Sequence, residues 1–243
     1  YFLTMKTTEF DIKQQFQEIK TVSDLAKLLN KIPYLEGNST LLKPISAKHL
    51  IWLSKKYSDR LYITHSISKK NGKLREINAP KPFLKKVQSL LSKLLQIVFA
   101  ENTYKNKSSN GFLPNKSIIT NAKPHINKQF VYNLDLENFF PSVEFRRIKT
   151  VLELKPFNLK EKREKLAFII ANIVTYNGIL PQGSPTSPII SNIVTQRLDK
   201  KISRYCRKKK IRYTRYADDL TFSCNKNVFA DKKFLEDITE IIN

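Results

Sequence analysis

Two runs of β-forming residues, Arg212-Tyr213-Thr214-Arg215-Tyr216 and Leu220-Thr221-Phe222-Ser223, are separated only by Ala217-Asp218-Asp219. A tip that short predicts a tight antiparallel hairpin and places adjacent carboxylates at its rigid end. Asp pairs between strands usually serve as turn formers, because Asp accepts local hydrogen bonds and tolerates turn conformations. Here the two anions repel unless something positive sits nearby.

A third acid repeats the theme. Phe130-Val131-Tyr132-Asn133-Leu134-Asp135-Leu136 reads as a buried strand ending in a carboxylate, followed by Phe139-Phe140. An acid in that position is a helix cap or a ligand. If strand and hairpin belong to one sheet, Asp135 and Asp218 can face each other and hold two divalent ions about 4 Å apart, the arrangement that serves in-line displacement at phosphorus. Mg²⁺ suits such oxygen ligands, with Mn²⁺ as a substitute.

Leu180-Pro181-Gln182-Gly183-Ser184-Pro185-Thr186-Ser187-Pro188 reads as a Pro-rich turn leading into a helix. Gly183 allows close approach of backbone to a ligand, and Gln182 offers a neutral donor and acceptor. Ser187 is the expected N-cap, with Pro188 at the first helical position of a basic helix running to about Lys209. Upstream, apolar spacing predicts helices over 12–29, 45–57 and 83–100, the last with Val87, Leu90, Leu91, Leu94, Leu95 and Val98 on one face. Residues 61–77 read as a hairpin around Asn71-Gly72, 104–115 as loop, 162–175 and 234–242 as helix. The mixture predicts an α+β fold.

Charge narrows the partner. Lys and Arg number 44 against 21 Asp and Glu, a formal net charge of +23. Such an excess repels itself unless a polyanion relieves it, and nucleic acid is the commonest one. No long apolar run indicates a membrane span, and no signal-peptide pattern opens the chain, so a cytoplasmic protein is expected. Cys206 and Cys224 are too few for a disulfide scaffold, and His49, His65 and His125 are scattered.

Taken in order, these pieces resemble a known family. Phe130 to Val143, Gly178 to Asn192 and Tyr213 to Ser223 closely resemble the palm motifs of bacterial reverse transcriptases. Gly72 to Pro80 and Gly111 to Ile118 resemble the two fingers motifs, so the likeness spans roughly Leu61 to Ser223. Asn121-Ala122-Lys123-Pro124-His125 is similar to the Asn-Ala-x-x-His signature of retron reverse transcriptases, relatives of the group II intron enzymes.

The resemblance implies a right-hand polymerase fold: an N-terminal helical extension over 1–60, fingers over 61–129, and a palm over 130–243 whose antiparallel sheet is flanked by helices. It implies that Asp135, Asp218 and Asp219 are the catalytic, metal-binding acids, joined by the Leu136 carbonyl, with Asp219 acting more through charge. Lys73 and Arg75 match residues that hold the incoming triphosphate, and Gln182 and Gly183 match the nucleotide-pocket loop. Phe139 or Phe140 is the gate against a ribose 2′-hydroxyl, with Phe139 favoured. Asn121 and His125 are expected to serve RNA recognition or structure rather than chemistry.

The implied partners are a cognate noncoding RNA and its cDNA product, dNTPs and an effector protein, with no membrane. The implied product is RNA-linked single-stranded DNA (msDNA), made in anti-phage defence. A thumb is expected to lie beyond Asn243, and a chain that opens on Tyr1 is expected to be part of a longer one. A non-retron defence enzyme, a group II intron type, and an inactive RNA-binding scaffold are the alternatives. The presence of Asp135, Asp218 and Asp219 argues against the last.

Overall fold

The computed structural model describes residues 8–36, 43–55, 60–68, 72 and 74–243, and only the backbone of 104 and 105. Along the chain run α1 (Glu9–Glu18), α2 (Val22–Lys31), α3 (Ala47–Leu53), β1 (Tyr62–Ser68), β2 (Leu74–Pro80) and α4 (Pro82–Lys105). Then come α5 (Ile118–Ala122), a 3-10 turn at Lys123–His125, β3 (Phe130–Asp135), α6 (Phe145–Glu153) and α7 (Glu164–Val174). The chain ends with α8 (Ser187–Lys208), β4 (Arg212–Tyr216), β5 (Asp219–Cys224) and α9 (Lys232–Ile242). This is the expected mixture of helices and antiparallel sheets. Among the described residues no helix is long and apolar enough to cross a membrane.

Two compact units form, each from two stretches of chain: Tyr1–Ala100 with Phe140–Ser187, and Glu101–Phe139 with Pro188–Asn243. In the first, β1 and β2 pair antiparallel from Tyr62↔Pro80 to Ser68↔Leu74. α4 buries Val87, Leu91, Leu94, Leu95 and Val98 of the predicted face, while Leu90 is only half-buried. Phe157 is fully buried, stacked on Phe99 and edge-on to Phe16.

Three expectations change here. The single helix over 12–29 is two helices, because the Thr21 side chain accepts the Asp24 N–H while Asp24 accepts the Thr21 N–H, a capping box that starts a new helix. α4 continues to Lys105, into the expected loop. Ser187 is the first helical residue of α8 rather than its cap, and its hydroxyl is donated to the Pro181 carbonyl at 2.6 Å. α6, which the motif reading left unassigned, buries Ile148 and Leu152.

In the second unit, β5 lies between β3 and β4. Register runs from Phe130↔Cys224 to Asp135↔Asp219 on one side and from Arg212↔Ser223 to Tyr216↔Asp219 on the other. Alternation sends Phe130, Tyr132, Leu134, Leu220, Phe222 and Tyr213 to one face, where they pack with Ile202 and Cys206 of α8 and Phe234 and Ile238 of α9. The opposite face therefore carries Asp135, Asn133 and Val131, with Asp219, Thr221 and Ser223 beside them.

Candidate active site

The end of β3 and the hairpin tip lie in one sheet, but the residue opposite Asp135 is Asp219, not Asp218 as expected, because Asp219 opens β5 while Asp218 stays in the turn. Asp135 and Asp219 are direct cross-strand partners, and Asp218 is the second residue of the two-residue turn. Opposed residues in an antiparallel pair have Cα atoms about 5 Å apart. The Leu136 N–H donates to the Asp218 carbonyl at 3.1 Å, which ties the end of β3 to the turn. The Asp219 carboxyl is held above its usual range, first by partial burial and then by the negative charges of Asp218 and Asp135.

Among the described residues no three His, Cys, Asp or Glu side chains close on a point that could hold a metal ion. The acids thus adjoin through their backbone without their side chains forming a preset ligand cage. Chemically the donor set fits a divalent cation: all are carboxylates, the donors that Mg²⁺ and Mn²⁺ take, and their repulsion is what such a charge relieves.

Behind the turn lies a buried polar network absent from the sequence reading. The fully buried Arg215 donates from Nε and Nη2 to the two carboxylate oxygens of Asp199 on α8, each at 2.8 Å. Its Nη1 donates to the Ala217 carbonyl at 2.8 Å, and Nη2 also reaches Ser109 Oγ and Asn192 Oδ1 at 3.1 Å. Asp199 accepts further from the Tyr213 hydroxyl and from Asn106 Nδ2, both at 2.8 Å. Residues 108–110 run beside β4, exchanging backbone hydrogen bonds with Arg215 on the strand's outer edge. Gly111 follows, so close that a Cβ on it would lie 2.6 Å from the Ala217 nitrogen. The available signals were an acid alone in a basic helix and a cation in a strand facing the core.

The nucleotide-loop residues lie in the other unit. The Gln182 carbonyl accepts the Asn78 N–H of β2 at 2.7 Å. Gly183 has φ +101°, and a Cβ there would lie 2.8 Å from Ile77 Cγ2. Below it Ser184 donates to buried Gln88, whose amide donates to the Tyr62 hydroxyl and the Ile173 carbonyl. Arg75 is exposed on β2 opposite Ile67, while Lys73 lies outside the described residues. Phe139 is buried at 6% exposure and Phe140 is half-buried.

Asn121 and His125 are on the acids' face of the second unit's sheet. His125 Nδ1 lies 2.6 Å from Ser223 Oγ on β5, and Nε2 lies 2.8 Å from Thr214 Oγ1 on β4. The Thr214 hydroxyl donates to the Asn121 carbonyl at 3.3 Å. Its one proton being used there, Thr214 accepts from His125 Nε2–H, and Ser223 donates to Nδ1. Burial holds the imidazole below its ordinary pKa. The Asn121 Oδ1 is buried with no hydrogen-bond partner.

Comparison with known proteins agrees with the motif order. The family model described as reverse transcriptase (RNA-dependent DNA polymerase) matches residues 67–242. The chain is 35% identical over 177 residues to the retron Mx65 reverse transcriptase of Myxococcus xanthus, covering 68% of this chain and 40% of that protein. It is 36% identical over 178 residues to the retron Mx162 reverse transcriptase of the same organism, covering 68% of this chain and 36% of that protein. To the retron Ec86 reverse transcriptase of Escherichia coli it is 32% identical over 182 residues, covering 73% of this chain and 54% of that protein. The chain thus spans roughly half the length of these relatives or less.

Proposed function

The chain belongs to the reverse transcriptase family, and from that premise we propose that it is the polymerising part of a retron enzyme, an RNA-directed DNA polymerase that copies a structured noncoding RNA into RNA-linked single-stranded DNA. The observation that supports this most is the pairing of Asp135 with Asp219 beside the turn residue Asp218. On this reading 61–129 act as fingers and 130–243 as palm of a right-hand polymerase, with 1–60 an N-terminal extension. Anti-phage defence with an effector protein, in the cytoplasm, is the setting that the retron likeness suggests.

Two divalent cations, Mg²⁺ or Mn²⁺, held by Asp135, Asp218 and the Leu136 carbonyl, would supply the charge that lowers the barrier to in-line attack of a hydroxyl on a dNTP. Asp219 adds negative charge that favours their binding. Lys73 and Arg75 hold the triphosphate, and Gln182 and Gly183 let backbone approach the base and sugar closely. Phe139 or Phe140 excludes a ribose 2′-hydroxyl. Asn121 and His125 serve the cognate RNA, and the hydrogen bonds of His125 favour an indirect contribution, through the sheet on which that RNA would lie.

The full-length protein should add dNTPs to a primed RNA template only with a divalent ion, and Asp218→Asn should abolish addition while RNA binding, spread over many basic residues, persists. Near-normal synthesis by that variant would sink the assignment. The retron part is tested separately. DNA recovered from cells should carry RNA through a 2′-5′ linkage, and His125→Gln should impair priming on the cognate RNA more than extension of a supplied DNA primer.

A further inference from the structure

A buried ion pair is a poor way to gain stability, since well-packed apolar residues in its place often do as well or better. The Arg215–Asp199 pair, with both side chains fully buried, calls for another reason. Its geometry supplies one. The guanidinium sits bidentate on Asp199, and Tyr213 and Asn106 hold that carboxylate from two further directions. Thus anchored, it presents Nη1 to the carbonyl of Ala217.

That carbonyl belongs to the peptide whose nitrogen is Asp218's. Ala217 has φ 57°, a left-handed conformation that non-glycine residues adopt at a cost of about 1–2 kcal/mol, so the turn needs holding. The peptide after Asp218 is fixed too, through the Leu136 N–H on the Asp218 carbonyl. Both peptide planes from which Asp218 departs are therefore pinned, one by β3 and one by Arg215. Asn192 completes the brace. Its Oδ1 accepts from Arg215, and its Nδ2 donates to the carbonyl of Gly111, the residue pressed against the Ala217 nitrogen.

We infer that Arg215, oriented by Asp199, is a positioning residue: it sets the direction of the Asp218 carboxylate by holding the Ala217 carbonyl, and it does not touch substrate. The inference rests on the reading of Asp218 as a metal ligand. Lysine cannot replace arginine here, because one ammonium cannot span the Asp199 fork and the Ala217 carbonyl in fixed geometry.

The test uses the full-length protein with Arg215→Lys, Asp199→Asn and, as a control for the parent reading, Asp218→Asn. Thermal melting, Mn²⁺ affinity by calorimetry without nucleotide, and kcat and KM for single-nucleotide addition to a supplied primer are measured. Misplacing a ligand without altering the nucleotide loop should lower kcat about ten- to a hundredfold with KM for dNTP within about twofold. Mn²⁺ should bind more weakly in variants that still melt well above the assay temperature. A purely structural role would move the melting temperature and leave Mn²⁺ affinity and kcat alone, and a folded Arg215→Lys behaving so overturns the proposal. Should Arg215→Lys fail to fold, Ser109→Ala and Tyr213→Phe each delete one hydroxyl of the network. Both must shift kcat and Mn²⁺ affinity in the same direction, and wild-type values for both overturn it equally. Full activity in Asp218→Asn would instead mean that the parent reading is wrong.

Discussion

Asp135 and Asp219 face each other across the β3–β5 ladder, with Asp218 next to them on the turn. Like charges directly opposed on a sheet destabilise it. Asp219→Asn is therefore expected to raise the melting temperature in EDTA at neutral pH while lowering nucleotide addition by about a hundredfold or more. Adding millimolar Mg²⁺ should stabilise the wild type more than the variant. A melting temperature that falls on substitution would show that the acids do not strain the fold.

Gly111 reaches the same turn from outside the sheet. A methyl group there would sit 2.6 Å from the Ala217 nitrogen, a backbone atom that cannot swing aside. Gly111→Ala should destabilise the protein by about 1–3 kcal/mol, as overpacking does. Because the displaced atom belongs to the residue that precedes Asp218, kcat should fall more steeply than this loss of stability alone would produce, when assayed well below the melting temperature. Normal kcat in a destabilised variant would separate the turn's position from its packing.

Legibility in the sequence followed the range of the interactions. The hairpin tip at Ala217-Asp218-Asp219 was readable because strand propensity on both sides leaves so short a gap, although Asp219 turns out to open β5 rather than belong to the turn. Asp135 was readable as the end of an apolar strand. The break at Thr21 was not, because apolar spacing runs on from Phe16 to Leu25 while a single capping box decides the boundary. Arg215 and Asp199 lie 16 residues apart on different elements, and only the packing of α8 against the sheet makes them partners. In sequence Arg215 is one more cation in a basic chain. The loop of Gln182 and Gly183 was visible by its composition, but not its hydrogen bond to Asn78.

That loop gives the next expectation. Gly183 sits at φ +101°, a conformation unfavourable for any residue with a Cβ, and its missing methyl leaves room for Ile77. Gly183→Ala should cost about 1–3 kcal/mol of stability. It should also raise KM for dNTP several-fold more than it changes Mn²⁺ affinity, since the altered backbone is in the unit that does not carry the acids. Ile77→Ala removes the γ2 methyl that crowds this position and should relieve that contact but none of the backbone strain. A Gly183→Ala, Ile77→Ala double variant no less stable than Ile77→Ala alone would show that space, not φ, is what the glycine provides.

His125 gives the clearest pH dependence. The imidazole donates to Thr214 and accepts from Ser223, an arrangement that needs the neutral ring, and burial lowers its pKa below the ordinary 6.5. The unfolded chain therefore takes up a proton first as pH falls. The stabilising contribution is fully present above pH 6.5 and is lost progressively below it, through the folded-state pKa. Above pH 7 this residue should contribute no slope. His125→Gln should lower stability at pH 8 by about 1–2 kcal/mol, the net worth of the two hydrogen bonds. Between pH 6.5 and 5 the gap between wild type and variant should then narrow, because only the wild type loses this term. Urea midpoints at half-unit pH steps read the effect directly, and a gap that widens towards pH 5 would mean that the folded protein holds His125 charged.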